Sequence, residues 1–319
     1  MAGSKNLWIT VPPTVAHVNT AVLLNGTKFP DEFWDNVEAD GADIILYNAN
    51  GTKLPRQLIA INTAAKTMEL YVKTPTYSSS ELHLRMNYDD VAGAEANDFA
   101  DYEDYYEQYS ARVAASADDC SLYWDGAEWS FSLVVVNLNI GYNTAILNKA
   151  GFGARFLALN IARYSHICSA VMRVRASASN ALNDVKSYLY CEKSGTPSTF
   201  STLVDYQGRT HTTAKTAYDV IEAFVNNSDY NSVDFATSVQ EVSDSYTISN
   251  LVVFWEDHDN RSTNIDARRR RVYSYDTTTS FCPLLTVNYI PKLAYAVYTN
   301  SPITRTNVPR IARIMLMSP

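Results

Sequence analysis

The sequence predicts an all-β protein: two β-sandwich or jelly-roll domains followed by an extended C-terminal arm. Three observations point there. Tyrosine is unusually common at 22 residues and comes with many Thr, Ser, Val and Asn, a mix that favours strands joined by polar loops. Short apolar runs recur between turn signals, with no strand–helix–strand rhythm. The 319 residues suffice for two substantial cores, and an apolar content of 46% excludes a disordered chain.

The first domain is expected over residues 1–88. Leu7-Trp8-Ile9-Thr10-Val11 is strand-like, and the runs 21–24 and 44–47 are short, apolar and bounded by turn signals. Asn25-Gly26 and Asn50-Gly51 mark tight turns, because both residue types tolerate positive φ. Residues 69–73 and 82–86 alternate apolar with polar, as half-buried strands do. Residues 30–34 predict a single helical turn with acids near its start.

Residues 89–115 read as an acidic, tyrosine-rich linker. Eight acids and no Lys or Arg fall between Met86 and Ala111, and like charges at this density keep a chain extended. The second domain is expected over 116–290, with strands at 130–136, 154–160, 170–176, 185–191, 251–255, 271–275 and 284–289 and one helix at 216–225. Residues 291–319 read as an arm, since Pro291, Pro302, Pro309 and Pro319 resist regular structure. From Thr277 onward there is no acid, while Lys292, Arg305, Arg310 and Arg313 are basic. This predicts an arm that leaves its own domain. Arg305, Arg310 and Arg313 would then meet Asp101 and Asp104 of a neighbouring copy.

Two stretches resemble known families. Val22-Leu23-Leu24, Phe29-Pro30-Asp31-Glu32-Phe33-Trp34, Asp40-Gly41-Ala42-Asp43-Ile44, Gly51-Thr52-Lys53-Leu54-Pro55-Arg56 and Leu70-Tyr71-Val72-Lys73 resemble an uncharacterised β-sandwich family. That family commonly precedes lectin-like domains in bacterial surface proteins and occurs in phage and metagenomic proteins. The second domain resembles DNRLRE-type jelly-roll modules. Arg155-Phe156, Asp205-Tyr206-Gln207-Gly208-Arg209-Thr210, residues 238–242, residues 254–262, residues 271–276 and residues 283–289 carry this likeness. The resemblance implies carbohydrate binding and display on a cell surface or virion.

Catalytic signatures are missing from the sequence. Five histidines are scattered without an HExxH or an i, i+4 pair, and no GxSxG, GxGxxG or P-loop occurs. With 34 acids, a glycosidase-like carboxylate pair carries no information. Two sets of residues suggest ligands. Asp257 and Asp259, in the loop after a strand, fall on one side as a calcium ion would want, though a turn capped by these acids is the plainer reading. Calcium is thus the single cofactor the sequence admits. Tyr123, Trp124 and Trp129 suit the C–H faces of sugars; Tyr142 and Trp255 share this reading, and core packing is its alternative. The run Arg268–Arg271 suggests a phosphate patch, but strand alternation sends the side chains to two faces, so pairing with nearby acids is expected instead. Cys120, Cys168, Cys191 and Cys282 lack CxxC spacing; buried thiols, or disulfides within the domain or between copies, stay open.

The net charge of −8 argues against nucleic acid as a general partner, and no apolar run is long enough to span a membrane as a helix. The N-terminus shows no signal-peptide run; read as the start of the gene product, it predicts a chain made without Sec export. The functional expectation is a non-enzymatic phage virion protein, such as a capsid decoration, head-fibre or tail-associated component. It would assemble in the host cytoplasm with its own copies and other virion proteins. The alternative is a carbohydrate-binding adhesin that contacts host surface glycans.

Overall fold

A computed structural model describes residues 5–11, 21–25, 28–74, 82–89, 106–142, 148–180, 185–262, 268–292 and 296–299. The protein is all-β and of sandwich type, with antiparallel strands throughout the described residues. The chain divides into two compact units, residues 1–106 with 292–319, and residues 107–291.

In the first unit, β1 (Lys5–Val11), β2 (Ala21–Asn25), α1 (Asp31–Trp34), β3 (Ile45–Asn48), β4 (Arg56–Asn62), β5 (Thr67–Lys73) and β6 (Leu82–Tyr88) follow in order. β6 buries every second residue, as its alternation predicts. Leu7, Ile9, Leu46, Leu84 and Met86 meet Leu70, Val72 and the Phe33–Trp34 turn in one core. The helical turn expected at 30–34 forms at Asp31–Trp34, where the Trp34 indole donates to Phe29 O at 3.2 Å.

The second unit contains β7 (Glu107–Arg112), β8 (Asp119–Trp124), β9 (Trp129–Ser132), β10 (Asn137–Gly141), β11 (Asn148–Phe156), β12 (His166–Arg175), β13 (Ser187–Cys191) and α2 (Leu203–Gly208). Beyond these come β14 (Thr216–Tyr218), β15 (Asp229–Asn231), α3 (Ala236–Ser245), β16 (Leu251–Glu256), β17 (Arg269–Tyr273) and β18 (Leu284–Ile290). One sheet runs β14-β13-β16-β11-β10-β17, with the β8–β9 hairpin attached along β11; the other runs β15-β12-β18-β7. The main core includes Phe152, Phe156, Met172, Val253, Trp255 and Val287. A smaller core, including Cys120, Leu122, Tyr190, Phe200, Tyr206 and Phe254, is a separate cluster.

β16 explains how one sheet serves both cores. All six of its residues are buried. Leu251, Val253 and Trp255 belong to the main core, Val252 and Phe254 to the smaller one. A strand covered on both faces reads as an unbroken apolar run, as Leu251–Trp255 does. By the same alternation Glu256 falls on the side of the smaller core.

Several expectations change. No helix forms at 216–225: Thr216–Tyr218 is a strand paired with β13, and Phe224 stacks on Tyr230 at 4.1 Å. Aromatic packing outweighs local helix preference there. The helix lies instead at Ala236–Ser245. Its buried face is only Ser238, Val239, Val242 and Ser243, and the two serines satisfy themselves on Ala214 O and Ser165 O. Such a polar buried face gives little periodicity to read. The expected acidic linker ends in strand β7, which pairs with β18, and the Tyr109 hydroxyl donates to Leu157 O at 2.7 Å. The expected arm also begins as structure. β19 (Ala296–Thr299) pairs with β1 of the same chain, and Val297 packs against the first core. Asp101, Asp104, Arg305, Arg310 and Arg313 lie outside the described residues. Cys120, Cys191 and Cys282 are buried thiols; burial raises all three above the ordinary thiol range, and Cys282 reaches about 11.

Candidate functional site

The β8–β9 hairpin sits directly on the smaller core. Its register pairs Leu122 with Phe131, Tyr123 with Ser130 and Trp124 with Trp129. The turn is closed by Asp125. Its amide donates to Glu128 O at 3.0 Å, and its carboxylate accepts from the amides of Ala127 at 2.9 Å and Glu128 at 2.8 Å. These backbone bonds, Glu128's first, hold the Asp125 carboxyl below its ordinary range. Gly126 takes φ +102°, which favours a residue without a side chain.

Alternation decides which aromatics meet. Cys120, Leu122 and Trp124 share one face of β8, and Trp129 and Phe131 lie opposite them on β9. Trp124 and Trp129 therefore come together edge to face, with ring centres 5.7 Å apart, and both are half-buried. The Lys149 ammonium stands 5.6 Å over Trp124. Tyr123 belongs to the other face, so the three aromatics expected to act together do not form one platform. Tyr142 and Trp255 are core residues: both are buried, and the Trp255 indole donates to Ser187 Oγ at 2.9 Å.

Trp129 is supported from the side by His258, with ring centres 5.0 Å apart. His258 in turn is held by a buried carboxylate. Glu256 pairs with His258 Nδ1 at 2.5 Å and accepts from the Tyr206 hydroxyl at 3.0 Å and from the Tyr190 hydroxyl. Burial raises the Glu256 carboxyl, but the His258 imidazole and the three hydrogen bonds outweigh it, and the acid lies below its usual range. The same site pushes both phenols up, through burial first and the Glu256 charge second. Burial lowers His211, whose ring packs on Tyr190 and Phe254 with centres 4.8 Å away in each case. Gly151 makes room: a Cβ there would lie 2.7 Å from Glu256 Cα and 3.1 Å from His258 Nε2. His258 Nε2 is buried and has no protein partner.

None of the Glu256, Tyr190, Tyr206 and His258 group was anticipated as a unit. A carboxylate ending an otherwise apolar strand was the available signal, and Tyr190 lies 66 residues away from it in sequence. The aspartates expected to hold calcium have other surroundings. Asp257 is buried and accepts from the amides of Arg261 at 2.6 Å and Ser262 at 2.9 Å, which closes the loop; Asp259 is exposed. Among the described residues no group of three His, Cys, Asp or Glu side chains is placed to hold a metal ion. The arginine run also departs from expectation. Arg270 is fully buried; its guanidinium donates to Glu222 O and Ile221 O at 2.6 Å each and lies over Phe224. Burial brings it down to about 10. A polar groove of about 630 Å³ is lined in part by Arg209, whose terminal nitrogens pair with Glu192 at 2.6 Å and Asp205 at 2.9 Å while its Nε is buried without a partner.

No protein-family model matches this chain, and no curated protein does. A crystal structure of the plant receptor-like kinase ANX1 overlaps 91% of this chain and 80% of that chain, at 9% identity and a TM-score of 0.19, too slight a likeness to bear on fold or function.

Proposed function

We propose that the protein is a non-enzymatic binding and display protein whose second unit recognises a carbohydrate on the β8–β9 hairpin. The observation that carries this is the half-exposed Trp124–Trp129 pair, edge to face and braced by His258. Indole faces suit the C–H surfaces of sugar rings, and a preformed pair loses little entropy on binding. The acid beneath supports a holding role. Both oxygens of Glu256 are already taken by hydroxyls and imidazole, an arrangement that orients His258 rather than moving protons.

The test is a glycan array read with purified protein, followed by titration of the best ligand. Trp124→Ala and Trp129→Ala should each weaken binding by about tenfold or more, the loss of roughly 1.4 kcal/mol of stacking. Tyr123→Ala, on the opposite face, should bind as the parent does. An array without ligands, or tryptophan variants with full affinity, sinks the reading.

Assembly into a virion or surface array is the second reading. What favours it is the acid-free, arginine-bearing segment 300–319; the residues just before it, β19, fold back onto their own chain and lend it no support. Light scattering of the full chain should then give a defined oligomer that is lost on deletion of 300–319. Equal mass with and without that segment rejects assembly through it.

A further inference from the structure

β17 sends Arg269, Arg271 and Tyr273 to one side of its sheet and the fully buried Arg270 and Val272 to the other. The outward pair is unusual for a chain of net charge −8. Arg269 and Arg271 are half-buried, two residues apart on one face, and neither has a carboxylate within ion-pair distance among the described residues. The Nε atoms of both are buried and without a partner. Burial first, and the Arg271 charge second, hold the Arg269 guanidinium below its ordinary range. Two like charges left together and partly desolvated are destabilising unless something neutralises them.

The surroundings indicate what does. Asn139 stands opposite Arg271 in the β10–β17 register, and its side-chain oxygen is also buried and unpartnered. A ligand that satisfies this face brings an oxyanion to the guanidiniums and a hydroxyl to Asn139. Tyr273 continues the same face, and Phe281 lies beside it with ring centres 5.7 Å apart, adding apolar surface for a ring. We propose that Arg269, Arg271 and Asn139 form a binding site for an acidic polysaccharide, in which the guanidiniums grip a carboxylate or sulfate and Asn139 accepts from a neighbouring sugar hydroxyl. Guanidinium forks match planar or tetrahedral oxyanions by paired N–H donors. Nucleic acid suits the face less well, since it needs many cations along a backbone and the protein as a whole repels it. The site is separate from the tryptophan hairpin and stands without it.

Calorimetric titration of the full chain at low ionic strength tests the site. The probes are tetragalacturonate, a heparin-derived tetrasaccharide, neutral maltotetraose and a twelve-nucleotide thymidine strand. At least one acidic tetrasaccharide should bind about tenfold or more tighter than maltotetraose, and the arm that binds identifies carboxylate or sulfate. R269Q/R271Q should remove that preference, R271K should keep part of it, and N139A should weaken it severalfold. W124A should leave it intact, which separates this site from the hairpin. The variants face outward, and unchanged thermal midpoints will show that they fold. Acidic sugars binding no better than maltotetraose, or binding R269Q/R271Q equally well, overturns the proposal. So does tighter binding of the thymidine strand than of either acidic sugar.

Discussion

Asp119 shows how a single buried group governs stability with pH. It is fully buried; one carboxylate oxygen accepts from the Tyr275 amide at 2.8 Å and the other has no partner. Burial raises it to about 7, against the Tyr275 bond, with Asp276 and Asp118 adding to the rise. The folded value lies above the unfolded one, so the stability associated with Asp119 is complete below about pH 4 and is lost as pH rises through 7. A rise of this size corresponds to roughly 4 kcal/mol at most. Asp119→Asn keeps an acceptor for Tyr275 and cannot ionise. Between pH 4 and 8 the parent should therefore lose stability relative to this variant, by up to the same roughly 4 kcal/mol; parallel pH profiles refute the assignment. Glu256 goes the other way, because donors surround it. The contrast was not legible in the sequence: both are acids beside apolar strand residues, and only the partners brought by folding tell them apart.

At the scale of elements, the hairpin's tryptophans were the most legible part of the candidate site and the sheet beneath them the least. Trp124 and Trp129 flank Asp125-Gly126, a turn pair whose chemistry is local, yet the expected strands began only at 130, so the two rings were grouped by residue type and not by a hairpin. Tyr123 was misplaced because one residue along a strand changes face. Asp125→Ala removes both side-chain bonds to the amides of Ala127 and Glu128. Hydrogen exchange at those two amides should quicken by about an order of magnitude, with weaker glycan binding, while exchange in β16 stays slow. Unchanged exchange at the tip would show that Gly126 alone closes the turn. α3 marks the opposite case: its serine-rich buried face hides the helical period, and only its neighbours on β12 explain why it is a helix.

For the whole molecule, the consequential finding is that residues on both sides of the second unit belong to the first. β19 covers the outer ladder of β1, and Val297 packs on the first core. Truncation after Pro291 exposes that ladder and removes the contact. The first unit's calorimetric transition should fall by roughly 5 °C or more, with the second unit's unmoved. Truncation after Thr299 keeps the strand and should leave both transitions in place. If the two truncations behave alike, β19 contributes nothing to the first unit. Truncation after Thr299 removes 300–319 alone, so it also tests the proposed assembly through that segment apart from the pairing of β19 with β1.

Alternation, apolar runs and turn dipeptides are properties of neighbouring residues, so the chain's own order was enough to establish an all-β class and the positions of most central strands. The pairing of β7 with β18 and of β19 with β1, the assembly of Tyr190, Tyr206 and His258 around Glu256, and the placing of Arg269 and Arg271 beside no acid among the described residues depend on segments far apart in sequence. Those were decided by which sheet faces became buried and which hydrogen-bonding groups had to be satisfied once they were.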